Sequence, residues 1–367
     1  MIAALFTRIS VTLAFLVALN PGFRAAAQTL PSEETVPTVK LEPVSPETKN
    51  RIGMSYLMGM NITVDFKRLG GLALSNPGSL IGSAVNRNYD NGYNRVDIST
   101  NAGGMTWYWG YQNANSAQGD NLSLQSYATR DNAHSNNNQD DPQSGVEIFY
   151  QRELLSGKKW RLGATAAFGY TYVSINNSQT LKNTAYRTND TYGLDGIVPP
   201  LAPYNGTFQG PGPLIGSTPS SRSTDVLARA ATITGERSVE SDVFTWRLGP
   251  YLELPVYKKL SVMLEGGLTL AVADTTFHYR EKVTISDPSN DIELVSQTRR
   301  GTVSTTDFLV GAYAGGSVEY ALTKKLSLLA GAHYQTAGES IDKLGKRESV
   351  LNFGGSVIIS VGAIYSF

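Results

Sequence analysis

The chain has 367 residues, of which 41% are hydrophobic, and its 31 basic side chains balance its 31 acidic ones. This balance provides no basic surface for nucleic acid, and the absence of cysteine excludes a disulfide framework and thiolate metal sites. Beyond the first 20 residues there is no apolar run of the roughly 20 residues that a transmembrane helix needs, which excludes a polytopic helical membrane protein.

The N-terminus has the pattern of a secretory signal peptide. Arg8 precedes a short apolar core, Asn20 to Gly22 interrupt it, and an Ala-x-Ala-like site ends at Ala27. We predict a signal peptide over residues 1–27; an anchoring helix is the alternative, but the apolar core is short for one. Residues 28–50 are rich in Pro, Glu and Thr without a period, which predicts a disordered periplasmic tail.

From Arg51 onward, apolar residues alternate with small or polar ones, which is the period of a β-strand with two different faces. The alternation predicts about eight strands. They lie within residues 51–66, 146–153, 160–172, 244–256, 260–272, 308–322, 326–335 and 353–367.

The connections between these segments are alternately short and long. Short turns are expected near 156–159, 258–259 and 323–325, and long loops over 67–144, 174–241, 280–304 and 337–349. Short periplasmic turns and long outer loops are typical of outer-membrane barrels. The sequence therefore predicts an all-β fold, a transmembrane antiparallel up-and-down β-barrel over residues 51–367 with both termini in the periplasm.

The first long loop leaves the strand number open. Residues 105–112 and 121–128 have the composition of one more hairpin, which would give ten strands if it crossed the membrane. If it does not cross, it forms an extracellular extension, which we favour, or a plug folded inward. Pro and Gly in residues 196–221 preclude regular strands there, and the apolar side chains of this loop predict either packing within the loop or a contact surface.

The final strand is the most specific segment of the sequence. Its alternate residues, read back from the C-terminus, are Phe367, Tyr365, Ala363 and Val361. This pattern resembles the C-terminal insertion signal of bacterial outer-membrane barrels, and the whole alternating region resembles small barrels of the OmpA-barrel or OmpW type. The resemblance implies an outer-membrane location, contact with lipid and lipopolysaccharide, and recognition of the last strand by the barrel-assembly machinery.

Charged residues occur on the face predicted to point inward. An eight-stranded barrel has room inside only for side chains, so these charges must pair into a polar plug. Glu153 and Arg161 flank one short turn and are predicted to pair across it; the alternative for the set is a narrow cation-preferring path. The predicted lumen charges are Asp65, Glu147, Glu153, Arg161, Arg247, Glu253, Glu265 and Glu319.

No catalytic, cofactor-binding or metal site is predicted. His134, His278 and His333 lie in no nucleophile–base motif, and the acidic runs near 140 and 287–291 lack the spacing of a calcium loop. The predicted function is a non-enzymatic outer-membrane barrel that displays surface loops for envelope integrity or surface recognition. A narrow porin-like channel for small solutes and, less favoured, a lipid-modifying barrel enzyme are the alternatives.

Overall fold

The computed structural model describes residues 50–367, so the predicted signal peptide and all but the last residue of the predicted tail lie outside it. The first half contains β1 Asn50–Met60, β2 Thr63–Leu69, β3 Leu72–Ala73, β4 Arg87–Tyr89, β5 Gly92–Asn94, β6 Met105–Thr106, β7 Trp109–Tyr111, β8 Ala117–Gln118, β9 Asn121–Thr129, β10 Ala133–Asn138, β11 Gln143–Ser156 and β12 Arg161–Asn177. The second half contains β13 Leu181–Gly193, β14 Tyr204–Asn205, β15 Ile215–Gly216, β16 Ser221–Tyr257, β17 Leu260–Ser286, β18 Glu293–Ala321, β19 Leu326–Thr336, β20 Glu339–Leu344, β21 Arg347–Asn352 and β22 Ser356–Ser366. Two short 3₁₀ turns, Ala102–Gly104 and Ala114–Ser116, complete the described elements. Among residues 50–367, no helix is long and apolar enough to cross a membrane.

Eight strands pair into one closed antiparallel ring. Its order is β1, β11, β12, β16, β17, β18, β19 and β22, and β22 pairs back with β1. The all-β, antiparallel arrangement predicted from the alternation is confirmed. Strand β9 pairs with β13, β8 and β3 and extends the sheet outside this ring. The predicted hairpin of residues 105–112 with 121–128 does not form, because β6 pairs with β15 and β7 pairs with β5 and β14.

The two ends of the ring differ as predicted. Three tight turns, after β11, β16 and β18, lie at the same end as Asn50 and Ser366. At the opposite end, β16, β17 and β18 run for 37, 27 and 29 residues. Roughly 9–11 residues suffice for a tilted strand to cross a bilayer. These three strands therefore continue well past a membrane-length segment.

The segments expected to be long loops are largely β-structure. Residues 67–144 and 174–241 contain β9, β13 and the first half of β16, which form one continuous sheet. We refer to residues 61–142, 174–241, 274–307 and 337–355 as the head. Polar, Asn-rich and Gly-rich stretches form strands there because they pair with strands distant in sequence.

The alternation of side chains reverses where β1 leaves the ring. Asn61 has φ of 59°, Gly355 on the neighbouring chain segment has φ of 101°, and the Asn61 Nδ2 donates to the Gly355 carbonyl oxygen at 2.8 Å. Since one extra residue moves every following side chain to the other face, Phe66 and Phe353 are buried rather than outward. The prediction of an unbroken outward face over 52–66 and 353–367 was wrong at these positions.

Above this reversal, the head contains three apolar cores. The first joins the small sheet β10–β2–β21–β20 to the long strands through Phe66, Phe277 and Phe353. The second lies between β9, β13, β16 and β17, and the third surrounds Trp109 and Tyr192. Three cores indicate that the head is packed and has a defined shape.

Candidate functional site

The outside of the ring carries a band of apolar side chains that no part of residues 50–367 covers. Phe308 is 66% exposed, and Met54 and Leu268 are each 62% exposed. The band also includes Ile52, Tyr56, Ile148, Tyr150, Phe168, Leu248, Leu264, Val310, Val318, Tyr320, Leu328, Tyr334, Val361 and Tyr365. A large continuous apolar exterior around a polar interior is the arrangement of a barrel in a membrane.

A first cluster of charges lies in the lumen near the termini. The Arg51 Nη2 lies 2.6 Å from Glu253 Oε2, and its Nη1 lies 3.1 Å from Glu319 Oε2. Arg161 Nη2 approaches the other Glu253 oxygen at 3.3 Å. Two arginines thus balance two glutamates, three of the four being almost fully buried.

The predicted pair of Glu153 and Arg161 does not form. The turn joins Ser156 to Arg161, so Arg161 lies opposite Ser156 on β11 and opposite Glu253 on β16, and a bulge follows at Glu153–Leu155. Glu153 faces Gly163, and its Oε2 has no hydrogen-bond partner within residues 50–367. The residue that binds both Glu253 and Glu319 is Arg51, which our sequence reasoning missed although it has the inward parity of Gly53 and Ser55.

A second cluster lies deeper in the lumen. Arg247 holds Glu147 with two hydrogen bonds of 2.7 and 2.9 Å and reaches Glu265 at 3.2 Å. Its guanidinium stacks over the Tyr313 ring, which meets the His333 ring edge-on. The bidentate geometry gives this pair strong, directional hydrogen bonds.

An apolar layer separates the two clusters. It consists of Phe149, Ala167, Tyr251, Met263, Leu329 and Ile364. The cavity beside Arg247 measures about 20 Å³, enough for about one water molecule. A vestibule of about 230 Å³ at the terminal end reaches Arg51 and Glu253 and includes no residue of the apolar layer.

Asp65 is not a lumen residue. It lies beyond the reversal at Asn61, on the opposite side of β2 from the buried Phe66. Its carboxylate accepts from the Asn137 amide and lies 3.7 Å from Lys67 Nζ. The prediction of an inward position was wrong because it extended the parity of β1 through the break.

The predicted insertion-signal residues share the outward face of β22. Val361, Ala363, Tyr365 and Phe367 are all exposed, and the last two rings stack at 6.4 Å. Phe367 exchanges two backbone hydrogen bonds with Asn50, of 2.9 and 3.2 Å. The terminal residue therefore closes the seam between the first and last strands.

We expect Phe367→Ala to reduce assembly far more than Phe308→Ala, because Phe367 also belongs to the predicted insertion signal. Both rings are outward and similarly exposed, at 61% and 66%, so each change removes a similar lipid contact, worth roughly 2–3 kcal/mol. The measurement is the amount of folded protein in membranes, read from gel mobility before and after boiling. Equal amounts for both variants would show that Phe367 is only a lipid contact.

Buried hydrogen bonds fix the outermost part of the head. Arg222 donates to both oxygens of the buried Asp190, each at 2.6 Å, and to the carbonyls of Pro77 and Gly78. Tyr89 donates to Asp190 and contacts the Tyr192 hydroxyl. Burial raises the pKa of Tyr192 to about 12, so its phenol stays protonated at neutral pH.

A patch of partly exposed aromatic residues lies on the surface of this part. We call Tyr93, Arg95, Tyr108 and Phe208 the aromatic patch. The Arg95 guanidinium lies 4.6 Å from the Tyr93 ring centre and 5.6 Å from that of Tyr108, and Tyr108 meets Phe208 edge-on at 6.3 Å. The loop 196–221 thus supplies both partly buried packing at Tyr204 and an exposed ring at Phe208. The prediction that it contains no regular strand was wrong for β14 and β15, which are two residues each.

The histidines are dispersed. His134 is exposed on β10, His278 bonds Thr302 on the outer surface at 2.9 Å, and His333 is buried in the lumen. No group of three or more His, Asp or Glu side chains suited to a metal ion occurs among residues 50–367.

Comparison with known proteins gives structural similarity only. No protein-family model and no curated protein matches the chain. The attachment invasion locus protein Ail of Yersinia pestis, solved with the heparin analogue sucrose octasulfate, is 10% identical, with 88% of this chain and 99% of that one covered and a TM-score of 0.26. The outer-membrane protease OmpT of Escherichia coli is 11% identical, with coverage of 88% and 98% and a TM-score of 0.31.

A Pseudomonas aeruginosa FadL homologue is more distant, at 9% identity, 87% and 90% coverage and a TM-score of 0.17. At scores this low a similarity does not by itself establish a fold; the closed ring and its apolar exterior do. The bacterial outer membrane stays the location predicted from the sequence. An attachment protein and a protease both occur among them, so they leave enzymatic activity undetermined.

Proposed function

We propose that this protein is an eight-stranded, transmembrane outer-membrane barrel, closed to solutes, that presents its head at the cell surface for recognition. The observation that carries the proposal is the continuation of β16, β17 and β18 from the membrane-length ring into a packed head. A barrel whose task was only to span the membrane has no use for strands of this length. Lipid and lipopolysaccharide contact the apolar band, and the assembly machinery recognises β22.

The filled lumen supports the closed state. Both charge clusters are paired, and Phe149, Met263 and Leu329 lie between them. An eight-stranded barrel is just wide enough for its interior side chains. In this proposal the ion pairs of the lumen connect different strands of the barrel and do not form a pathway for ions.

Reconstituted in planar bilayers, the unmodified protein is expected to show no steady conductance steps. The reason is the packed lumen, because eight strands leave room only for side chains and the cavity beside Arg247 holds about one water molecule. Insertion is checked separately from the change in gel mobility on heating. Stable, reproducible steps would contradict the closed lumen and support the narrow channel.

The aromatic patch supports recognition as the role of the head. Exposed aromatic residues with an arginine are enriched at protein interfaces, and Ile98 beside Phe208 is 58% exposed. Buried hydrogen bonds of Arg87 and Arg222 fix the surrounding loops, so the surface is ordered before it meets a partner. The proposal is non-enzymatic because the hydroxyl that His278 contacts, Thr302, is exposed, and no third group among the hydrogen bonds of residues 50–367 orients that imidazole as a base.

The absence of natural cysteine provides a direct test of display. Leu201→Cys, at a head position that is 94% exposed, is expected to react with a membrane-impermeant maleimide on intact cells. Lys324→Cys, in an exposed short turn at the opposite end, is expected to react only after the outer membrane is permeabilised. The reverse pattern would contradict the proposed orientation and therefore surface recognition by the head.

A further inference from the structure

One side of the head contains a cavity whose lining includes no residue of the aromatic patch. Its volume is about 590 Å³, within the range of small-ligand sites. The turn at Gly345, the β3 segment from Gly71 and the β17–β18 strands enclose it. We refer to it as the side pocket.

Cations dominate the lining of the side pocket. Arg299, Lys346 and Arg347 contribute three positive charges, and Asp131 contributes the only carboxylate among the lining residues. Lys346 Nζ lies 3.1 Å from Asp131, and Arg299 donates to the Gly71 carbonyl at 3.0 Å. Asp131 therefore balances Lys346, and Arg299 and Arg347 have no carboxylate partner among the lining residues.

The charges behind the pocket do not remove this surplus. Arg237 and Arg347 share a single carboxylate, Glu281, at 2.8 and 3.0 Å, and all three are buried. The Nη2 atoms of both arginines lack a hydrogen-bond partner within residues 50–367. Arg347 also stacks 4.5 Å over the Tyr279 ring, and Arg237 Nη1 donates to Asn177 and to the Gln179 carbonyl. These contacts offset part of the cost of burying two arginines on one glutamate, and a further anion would offset more of it.

The pocket also has apolar surface. Leu72 and Leu344 line it beside the cations, together with the Tyr279 ring, over which the Arg347 guanidinium stacks. A phosphate ion alone would leave most of the volume and all of this surface unused. A ring with one acidic substituent would use both.

We propose that the side pocket binds an acidic saccharide unit, through a phosphate, sulfate or carboxylate held by Arg299 and Arg347, with the sugar ring against the apolar lining. Guanidinium groups bind such anions with strong, oriented hydrogen bonds. This inference rests on the proposed function, since it names a ligand class for the surface-exposed head. Lipopolysaccharide and the glycans of another cell are the two sources of such sugars outside the membrane.

The test is calorimetric titration of the purified full-length protein in detergent with glucose 6-phosphate, glucose 6-sulfate and galacturonic acid. Arg299→Gln is expected to raise the Kd of the bound sugars about tenfold, the effect of one lost charged hydrogen bond. Arg300→Gln is the matched control, because Arg300 is the next residue on β18, is exposed, and is not among the pocket lining. This control removes the same charge as Arg299→Gln without touching the pocket lining. It is therefore expected to change Kd less than twofold.

Three results would overturn the proposal. They are no binding of any acidic sugar, equal weakening by Arg299→Gln and Arg300→Gln, and binding of inorganic phosphate as tight as that of glucose 6-phosphate. Arg347 also supports the head, so a conservative variant of it is tested beside Arg299→Gln. Arg347→Lys keeps the positive charge but loses the two parallel hydrogen bonds that a guanidinium can donate. Each variant must keep the parent's protease resistance, which separates lost binding from lost folding.

The source of the sugar is then distinguished with the same variants. Retained binding of purified lipopolysaccharide by the parent and its loss in Arg299→Gln assigns the pocket to the cell's own surface. Binding to sulfated or carboxylated host-type glycans with the same loss assigns it to another cell. The cysteine-labelling test is independent of the pocket, so failure here leaves the surface display of the head standing.

Discussion

Arg247→Met is expected to lower the free energy of unfolding by about 3–5 kcal/mol, the largest single effect in the lumen. The change leaves Glu147 and Glu265 without their cation, and Glu147 is only 4% exposed. Two carboxylates would then remain charged and desolvated a short distance apart. Urea titration of the folded barrel in detergent, followed by tryptophan fluorescence, measures the loss.

Removing the two carboxylates that contact Arg247 tests whether the three side chains act as one cluster. Adding Glu147→Gln and Glu265→Gln to Arg247→Met removes the stranded charges, so the triple variant should recover part of the stability. Arg300→Met is the matched control, because its side chain is exposed on β18 and makes no ion pair among the described residues. Strictly additive losses would contradict a coupled cluster.

Phe66→Ala is expected to destabilise the head by about 3–5 kcal/mol, the usual cost of deleting a buried aromatic ring. Phe66 is fully buried, and its ring lies 5.7 Å from that of Phe277 across the first head core. Loss of this ring leaves a cavity between the small sheet and the long strands. Limited proteolysis of the head at increasing urea concentration is the measurement, because the barrel itself resists proteases.

This substitution also tests the reversal at Asn61. If the parity of β1 continued, Phe66 would point outward, and its replacement would resemble Phe308→Ala, whose ring is 66% exposed. Asp65→Asn serves as the neighbouring control, since the Asp65 side chain is 30% exposed and its ion pair with Lys67 is at the surface. A large effect for Asp65→Asn and a small one for Phe66→Ala would contradict the described register.

The wrong predictions share one origin, a count of residues carried through a point that the sequence does not mark. Glu153 and Arg161 were paired by counting from a turn centred near residue 157, whereas β11 ends at Ser156, β12 begins at Arg161, and these two residues lie opposite each other. Asp65 and Phe353 were assigned by continuing a parity through Asn61 and Gly355. A single inserted residue leaves the apolar composition of a strand unchanged, so the sequence pattern carries little sign of it.

The head was not predictable for a different reason. Its sheets join β9 to β13, β2 to β21 and β2 to β10, which pair residues far apart in sequence. The cationic side pocket depends on the same pairings, since Arg299, Lys346 and Gly71 come from three separate segments. No local pattern in the Asn-rich and Gly-rich stretches specifies which segment is the partner.

The sequence by itself determined the ring of strands, the tight turns at one end and the inward position of Glu147, Arg247, Glu253 and Glu319. It could do so because a strand between lipid and a packed lumen must alternate, and the period of two records this in every residue. Only the tertiary structure decided which charges meet, where the alternation reverses, and that the long connections pack into a head. Those features depend on register and on long-range pairing, which arise when strands distant in sequence bury a common surface.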